Sequence, residues 1–521
     1  MTKSRLFFLS VAVLLCFCST LAIAADKRLN ILLITADDMN YDSLGVMGCP
    51  IKNITPNLDA LARQGMLFKR AHVTVAVCQP SRQVLMTGRY AHCNGGMGFY
   101  PINADVPTLQ ESLEKAGYFK GIMAKVAHLA PADKFHWDVV VQAERLDAGR
   151  NPEKFYSYCT DFFAQAKQAR KPFFLMANSQ DPHRPFAGSD NEKRAIENGQ
   201  TFPRVNRTIS PDEVVIPGFL PDIPDVRKEI AQFYTCVHRC DEAVGKILQA
   251  LKDSGMEDNT LVMFLSDNGM AFPFAKTNVY RMSNQTPWIV RWPGVLKPGG
   301  VDETHFISGI DYMPTILEAI GLPLPENMNG KSFVPLLQGK TQPERTSVYT
   351  TFYQTSGSQN FPMRSIRTAR YAYLFSPWSN GTLIFRNDSQ SGLTFKAMQQ
   401  AAINNPEIAA RVELFSKRVL HEFFDYNNDP DALRNLVADP AMKKEIERHQ
   451  QLMLKEMKAS NDPLIHAFET FLATGKPDME GIQTGPVPRN PNATRNPGNQ
   501  NQQNPNRQNQ NRPNQNRQNN T

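Results

Sequence analysis

Asn30-Ile31-Leu32-Leu33-Ile34-Thr35, running almost directly into Asp37-Asp38, is the stretch on which the fold turns. Its apolar residues are continuous. A strand with one wet face would alternate, so this run reads as a parallel strand buried on both faces. Three later runs repeat the pattern and end in polar residues of unusual type. Gly121-Ile122-Met123-Ala124 leads into Lys125 and His128, and Phe173-Phe174-Leu175-Met176-Ala177 into Asp181-Pro182-His183. Leu261-Val262-Met263-Phe264-Leu265 leads into Asp267-Asn268-Gly269.

Helical signals fall between these runs. Thr55-Pro56 opens a helix that Gly65 ends, with Leu58, Leu61 and Ala62 on one face. Thr108-Leu109-Gln110-Glu111 is a capping box for a helix stopped by Gly117. Lys228 to Leu251 reads as a longer helix. Strand and helix alternate, which predicts the α/β class: a large, doubly wound, mostly parallel sheet. Ligands of such sheets lie outside the carboxyl ends of the strands. The four polar clusters should therefore converge on one edge.

The 521 residues are too many for one small domain. The expected organisation is a catalytic α/β domain over 25–344 and a smaller α+β domain over 345–480. In the second, Met363 to Phe375 mixes β-formers with arginines, and Ala441 to Lys458 looks helical, with the packed part ending near Phe471. Residues 481–521 are Asn, Gln, Pro and Arg with little that is apolar, and are expected to be a disordered tail. At the other end, Lys3 and Arg5 precede an apolar run from Leu6 to Leu21, and Ala22-Ile23-Ala24 offers a cleavage site. Residues 1–24 thus read as a signal peptide, which predicts a secreted or periplasmic protein with no integral membrane segment after cleavage. Cys16 and Cys18 lack the preceding small residue of a lipoprotein signal.

The formal charge of +7 misleads. Lys3 and Arg5 supply two of those charges, and Arg489, Arg495, Arg507, Arg512 and Arg517 five more, so the folded body is about neutral. Nucleic acid is not an expected partner. The cysteines beyond the signal are Cys49, Cys78, Cys93, Cys159, Cys236 and Cys240, too few in so long a chain for a disulfide scaffold. All but Cys78 read as buried free thiols.

Asp37, Asp38, Asp267 and Asn268, brought together, make a hard-oxygen site suited to calcium or magnesium; zinc would favour thiolates and imidazoles. Taken singly, an Asp after a strand is more often a turn or cap residue. His128 and His183 taken singly read as buried histidines bonded to backbone, and Lys276 as a solvated lysine. Cys78-Gln79-Pro80-Ser81-Arg82 is more specific. Pro80 at an early helical position places Cys78 near a helix N-terminus, which favours anions.

The Cys78-x-Pro80-x-Arg82 pattern resembles the signature that formylglycine-generating enzymes oxidise in type I sulfatases. Thr87-Gly88-Arg89 after it is similar to that family too. So is the order of the remaining motifs: paired aspartates, Lys125-x-x-His128, His183, Asp267-Asn268, Lys276, and Phe424-Asp425-Tyr426 through Asn435-Leu436. The resemblance runs from about Asn30 to Asp462. Within the family, several segments resemble the N-sulfoglucosamine sulfohydrolases (sulfamidases): Asn94 to Gly98, Asp181-Pro182-His183-Arg184, Ser266 to Gly269, Thr277 to Tyr280, and Pro362-Met363-Arg364-Ser365. Two positions depart. Sulfamidases carry arginine where Lys276 stands, and lysine lacks the bidentate fork. The Lys125-x-x-His128 spacing is closer to that of iduronate sulfatases.

The resemblance implies an alkaline phosphatase/sulfatase-like fold and a hydrolase of sulfuric esters or sulfamides. It implies that Cys78 is converted to formylglycine (3-oxoalanine), whose hydrate attacks sulfur with one hydroxyl and expels sulfate with the other. Asp37, Asp38, Cys78, Asp267 and Asn268 would hold Ca2+, or Mg2+. Arg82, Lys125, His128 and Lys276 would hold the hydrate and neutralise sulfate oxygens, and His183 would protonate the leaving group. Arg184 and Arg364 are expected to bind substrate. The implied partners are a sulfated glycan, best an N-sulfated glucosamine of heparan sulfate, and a formylglycine-generating enzyme. An O-sulfatase on another polysaccharide, or a phosphate or phosphonate monoester hydrolase, are the alternatives.

Overall fold

The structure is a computed structural model, described for residues 28–487. The expected signal peptide and residues 488–521 of the expected tail lie outside the described residues.

The main sheet has eight strands: β1 (Asn30–Ala36), β2 (Met66–Phe68), β4 (Phe119–Met123), β5 (Val139–Val141), β6 (Phe173–Asn178), β7 (Thr260–Ser266), β8 (Trp288–Arg291) and β9 (Gly300–Asp302). Their order is β5-β4-β6-β1-β7-β8-β2-β9. Strands β5, β4, β6, β1 and β7 are parallel to one another, and β8 runs antiparallel to both β7 and β2. A separate pair joins β3 (Ala71–His72) to β10 (Ile307–Ser308).

Every residue of β1, β6 and β7 is buried. The reason is visible along β1, where successive side chains point to opposite faces. Leu32 and Ile34 enter one apolar core with Phe162 and Val237, from helices Pro152–Ala169 and Pro224–Asp253. Ile31 and Leu33 enter a second core with Leu113 and Ile316, from helices Leu109–Lys115 and Tyr312–Ala319. Both faces are dry, so the apolar run does not alternate. The capping box at Thr108 and Glu111 forms as expected.

Register decides where the polar clusters fall. Thr35 pairs with both Asn178 and Leu265, and Met123 pairs with Ala177. The residues following β1, β4, β6 and β7 therefore emerge side by side at one carboxyl edge, as the topology predicts.

A second, antiparallel sheet follows: β11 (Ser347–Gln354), β12 (Gln359–Thr368), β13 (Tyr371–Phe375) and β14 (His421–Asp425), with helices Lys443–Ala459 and Ile465–Thr474 after it. Gly485–Pro486, β15, pairs with Gln359 and Asn360 of β12. The chain thus stays in register with the sheet inside the stretch expected to be tail from 481 onward. No helix among the described residues is long and apolar enough to cross a membrane. All six described cysteines are free.

Candidate active site

Cys78 is the first residue of helix Cys78–Thr87. Val77 before it is extended, and Gly88, with φ 62°, ends the helix by donating its N–H to Val84 O. All ten helical residues are buried. Burial pushes the Cys78 thiol up to about 11, although Lys276 and Lys125 pull it down. As cysteine, the residue is a protonated thiol and a poor nucleophile.

Four residues further on, Arg82 is fully buried. Its Nη1 donates to Thr35 Oγ1 at 2.8 Å and Asn178 Oδ1 at 2.7 Å, and its Nη2 to Asp267 Oδ2 at 2.6 Å. One guanidinium thus joins the ends of β1, β6 and β7. Arg82 is a frame for the strand ends that carry the carboxylates.

Asp37, Asp38, Asp267 and Asn268 converge as expected and are all fully buried. Asp38, in left-handed backbone at φ 70°, accepts from Asn268 Nδ2 at 2.7 Å, and its N–H donates to Asp267 Oδ1 at 3.2 Å. Lys125 makes an ion pair with Asp37. Lys276 Nζ lies 2.8 Å from Asp38 Oδ1. Burial opposes ionisation of Asp37, but Lys125, His183, Arg82 and Lys276 together hold it well below the usual carboxylate range. Burial pushes Asp267 up to about 7 against the pull of Arg82, with Asp37 and Asp38 adding repulsion.

The donor set fits a hard cation. Asn268 Oδ1 is buried without a hydrogen-bond partner, and the buried carboxylate of Asp37 faces the Lys125 ammonium on one oxygen and Arg82, 4.0 Å away, on the other. Anionic and amide oxygens so thinly hydrogen-bonded in one buried cluster are costly unless a cation takes them. Asp37, Asp38 and His183 each offer one ligand atom within 4.8 Å of the others.

His183 is partly buried on the loop after β6. Its Nδ1 donates to the carbonyl of Arg184 at 2.6 Å, which leaves Nε2 free, 3.9 Å from Asp38 Oδ2. Burial, with Lys276 close by, lowers its pKa and keeps the ring neutral. His128 sits one short turn beyond Lys125, likewise held neutral by burial and by the Lys125 charge. Its Nδ1 has no partner.

The two expected substrate arginines differ. Arg184 is beside the site, but its guanidinium is spent: it pairs with Glu229, donates to Ala271 O at 2.9 Å and stacks on Phe186. Arg364 is corrected. It has no exposed surface and holds Asp462 from Nε at 2.7 Å and Nη2 at 2.8 Å, with its Cζ 4.4 Å over the Tyr353 ring. A side chain closed to solvent cannot meet a glycan; Arg364 is a strut of the second sheet.

Sequence reasoning missed two groups. Asp181 was quoted only as part of Asp-Pro-His, yet it is fully buried, paired with Arg150 and Arg239, and its carbonyl accepts the Asp37 N–H at 3.1 Å. It fixes the His183 loop against the loop that carries Asp37 and Asp38. Asp388, from the second half of the chain, lies 3.1 Å from Lys276 Nζ. The polar ends of the apolar runs could have flagged Asp181; no local signal marks Asp388.

The Sulfatase family model matches residues 29–322, and the model for the N-sulphoglucosamine sulphohydrolase C-terminal region matches residues 270–379. The chain is 30% identical to human N-sulphoglucosamine sulphohydrolase, over 84% of this chain and 91% of that one. It is 29% identical to an ulvan-active sulfatase of Formosa agariphila, over 85% and 82% respectively. A solved structure in complex with its substrate D-glucosamine-2-N,6-O-disulfate shares the fold, with a TM-score of 0.61 at 18% identity, covering 84% of this chain and 99% of that one. With a family model across more than half its length and a relative of that identity along nearly all of another enzyme, the chain belongs to the sulfatase family, a hydrolase of sulfuric esters or sulfamides.

Proposed function

We propose that the protein is an exported N-sulfoglucosamine sulfohydrolase that removes N-sulfate from heparan-type glycans, with Cys78 matured to formylglycine and Ca2+ held by Asp37, Asp38, Asp267, Asn268 and the modified Cys78. The observation that carries the chemistry is the buried oxygen cluster of Asp37, Asp38, Asp267 and Asn268, with Asn268 Oδ1 left unbonded, beside a residue at a helix N-terminus flanked by two lysines. Charge bookkeeping supports it. Asp37, Asp38, Asp267 and Asp388 outnumber Arg82, Lys125 and Lys276 by one. A divalent cation and a singly charged sulfate group bring that balance to zero.

A calcium ion there would polarise the sulfate oxygens and acidify the attacking hydroxyl. A formylglycine hydrate would supply that hydroxyl, in place of a thiol that burial keeps protonated. Lys125 and Lys276 face the thiol position closely enough to shift its proton affinity, and would neutralise charge on the transferring sulfate. His183 presents Nε2 as its free atom. An anion bound beside it raises its affinity for a proton, which it can then give to the leaving nitrogen. Arg82 and Asp181 act by holding the loops. The expected role of Arg184 in substrate binding is through the wall it builds with Glu229.

The N-sulfoglucosamine substrate rests on the human relative and on the second family match. Export rests on the reading of residues 1–24. The test is protein co-expressed with a formylglycine-generating enzyme and given defined heparin disaccharides, with sulfate and free amine measured together. Equal amounts of both are expected. Sulfate without amine would replace this reading by an O-sulfatase, which the ulvan-active relative at 29% identity favours as the second reading.

A further inference from the structure

Lys276 stands between two carboxylates. Its Nζ is 2.8 Å from Asp38 Oδ1 and 3.1 Å from Asp388 Oδ2. The other oxygen of Asp388, Oδ1, is buried and has no hydrogen-bond partner. Only 17% of the Asp388 side chain is exposed. Lys276 spends its donors on Asp38 and on one oxygen of Asp388; the other Asp388 oxygen is left over and asks for a further ligand.

Its position is fixed on both sides. Asn387 donates from Nδ2 to Thr277 Oγ1, next to Lys276. Ser389 is fully buried. Glu229 accepts the N–H groups of Leu393 at 2.8 Å and Thr394 at 2.6 Å. A Cβ on Gly392 would stand 2.4 Å from Arg184 Nη2 and 2.7 Å from Glu229 Oε1. The segment is therefore pressed against the His183-Arg184 loop as well. Asp388 also feels the charges of Lys276 and Arg184, which against the effect of burial lower its pKa.

Resting on the N-sulfoglucosamine reading, we propose that Asp388 is a substrate-selecting carboxylate that receives the amino group at the scissile bond. In hydrolysis of a sulfamate, the S–N bond breaks, an S–O bond forms with water oxygen, and nitrogen ends with both water protons as an ammonium ion. Sulfate leaves as the dianion. An ester leaves a neutral hydroxyl at the same place. A fixed carboxylate with a free oxygen bonds the N–H of the sulfamate and pairs with the ammonium that follows; it gains less from a hydroxyl.

The test uses the matured enzyme and the variants Asp388→Asn and Asp388→Glu, each checked for an unchanged thermal midpoint. Turnover of N-sulfoglucosamine is compared with that of 4-nitrophenyl sulfate, which has no amine. The loss in kcat/KM for Asp388→Asn should be at least about tenfold greater on the sulfamate than on the aryl ester. Asp388→Glu, which keeps the charge, should recover part of it. Glucosamine should inhibit wild-type aryl sulfate hydrolysis, N-acetylglucosamine much less, and Asp388→Asn should relieve the glucosamine effect. Equal losses on both substrates, with unchanged inhibition by glucosamine, would reduce Asp388 to a support for Lys276 and overturn the proposal. A wild type that releases no amine fails the substrate reading alone. The glucosamine inhibition then still decides, and its absence also overturns the role of Asp388.

Discussion

Arg82 Nη2 donates to Asp267 Oδ2 at 2.6 Å, with both side chains wholly closed to solvent. Because Nη1 of the same guanidinium reaches Thr35 and Asn178, this contact is the lock that sets three strand ends at one spacing.

Arg82→Lys should open that lock. A lysine ammonium is a point donor and cannot span the three acceptors. Leaving Asp267 buried and poorly paired should cost about 3–5 kcal/mol in urea unfolding. A variant within about 0.5 kcal/mol of wild type would show that the fork is dispensable.

Cys78→Ala should abolish sulfate release, by at least about a thousandfold, while the thermal midpoint moves by no more than about 4 °C. The reasoning is that Cys78 contributes chemistry at the end of a helix already held by its other buried residues. Residual turnover near the wild-type rate would remove Cys78 from the mechanism.

Chelation of divalent metal should suppress activity, and calcium should restore it. Asp37→Asn keeps the shape of the site but removes the negative charge of one of its carboxylates. It should raise the calcium concentration needed for half-activity by about 10- to 100-fold. Full activity in excess chelator is the outcome that would sink the metal site.

Arg364→Ala should destabilise the protein by about 3–5 kcal/mol, because Asp462 is then buried with its main partner gone. The KM of the protein that remains folded should stay within about twofold, since Arg364 has no exposed surface. A large rise in KM at unchanged stability would return Arg364 to the substrate site.

His92 predicts an acid limb in stability. It donates from Nε2 to Ser460 O at 3.1 Å and accepts from the Tyr353 hydroxyl at Nδ1. Burial, resisted by Asp462, lowers its pKa from 6.5 to about 4. Between those values the unfolded chain holds a proton that the folded one refuses. Stability from this group is complete above about pH 6.5 and falls away towards pH 4, by about 3 kcal/mol in all. The stability gap between wild type and His92→Gln should narrow by that amount from pH 7 to pH 4, and a gap that stays constant would refute the assignment.

The parts of this molecule that were legible in sequence share a cause. β1, β6 and β7 are buried on both faces, so their composition alone announces them, and parallel pairing then forces Asp37, Lys125, His183 and Asp267 to one edge. The short strands β2, β8 and β9, which complete one side of the sheet, carry no run of that length. Arg364 was misplaced because Pro-Met-Arg-Ser matches a motif without saying which way its arginine points; the answer depends on Asp462, on the loop before helix Ile465–Thr474. Asp388 could not be found at all. It meets Lys276 only because the second sheet folds back on the first, a contact between residues far apart in the chain with no pattern at either end.

The complete burial of helix Cys78–Thr87 sets a clock. A second protein that works on Cys78 needs the flanking chain in its own cleft, and a helix with every residue enclosed offers none of it. Whatever is done to Cys78 by another enzyme must be done while the chain is still unfolded. If Cys78 is matured as proposed, the active fraction of a preparation is set during synthesis: a molecule that closes around an unconverted Cys78 would stay unconverted and would purify alongside the rest.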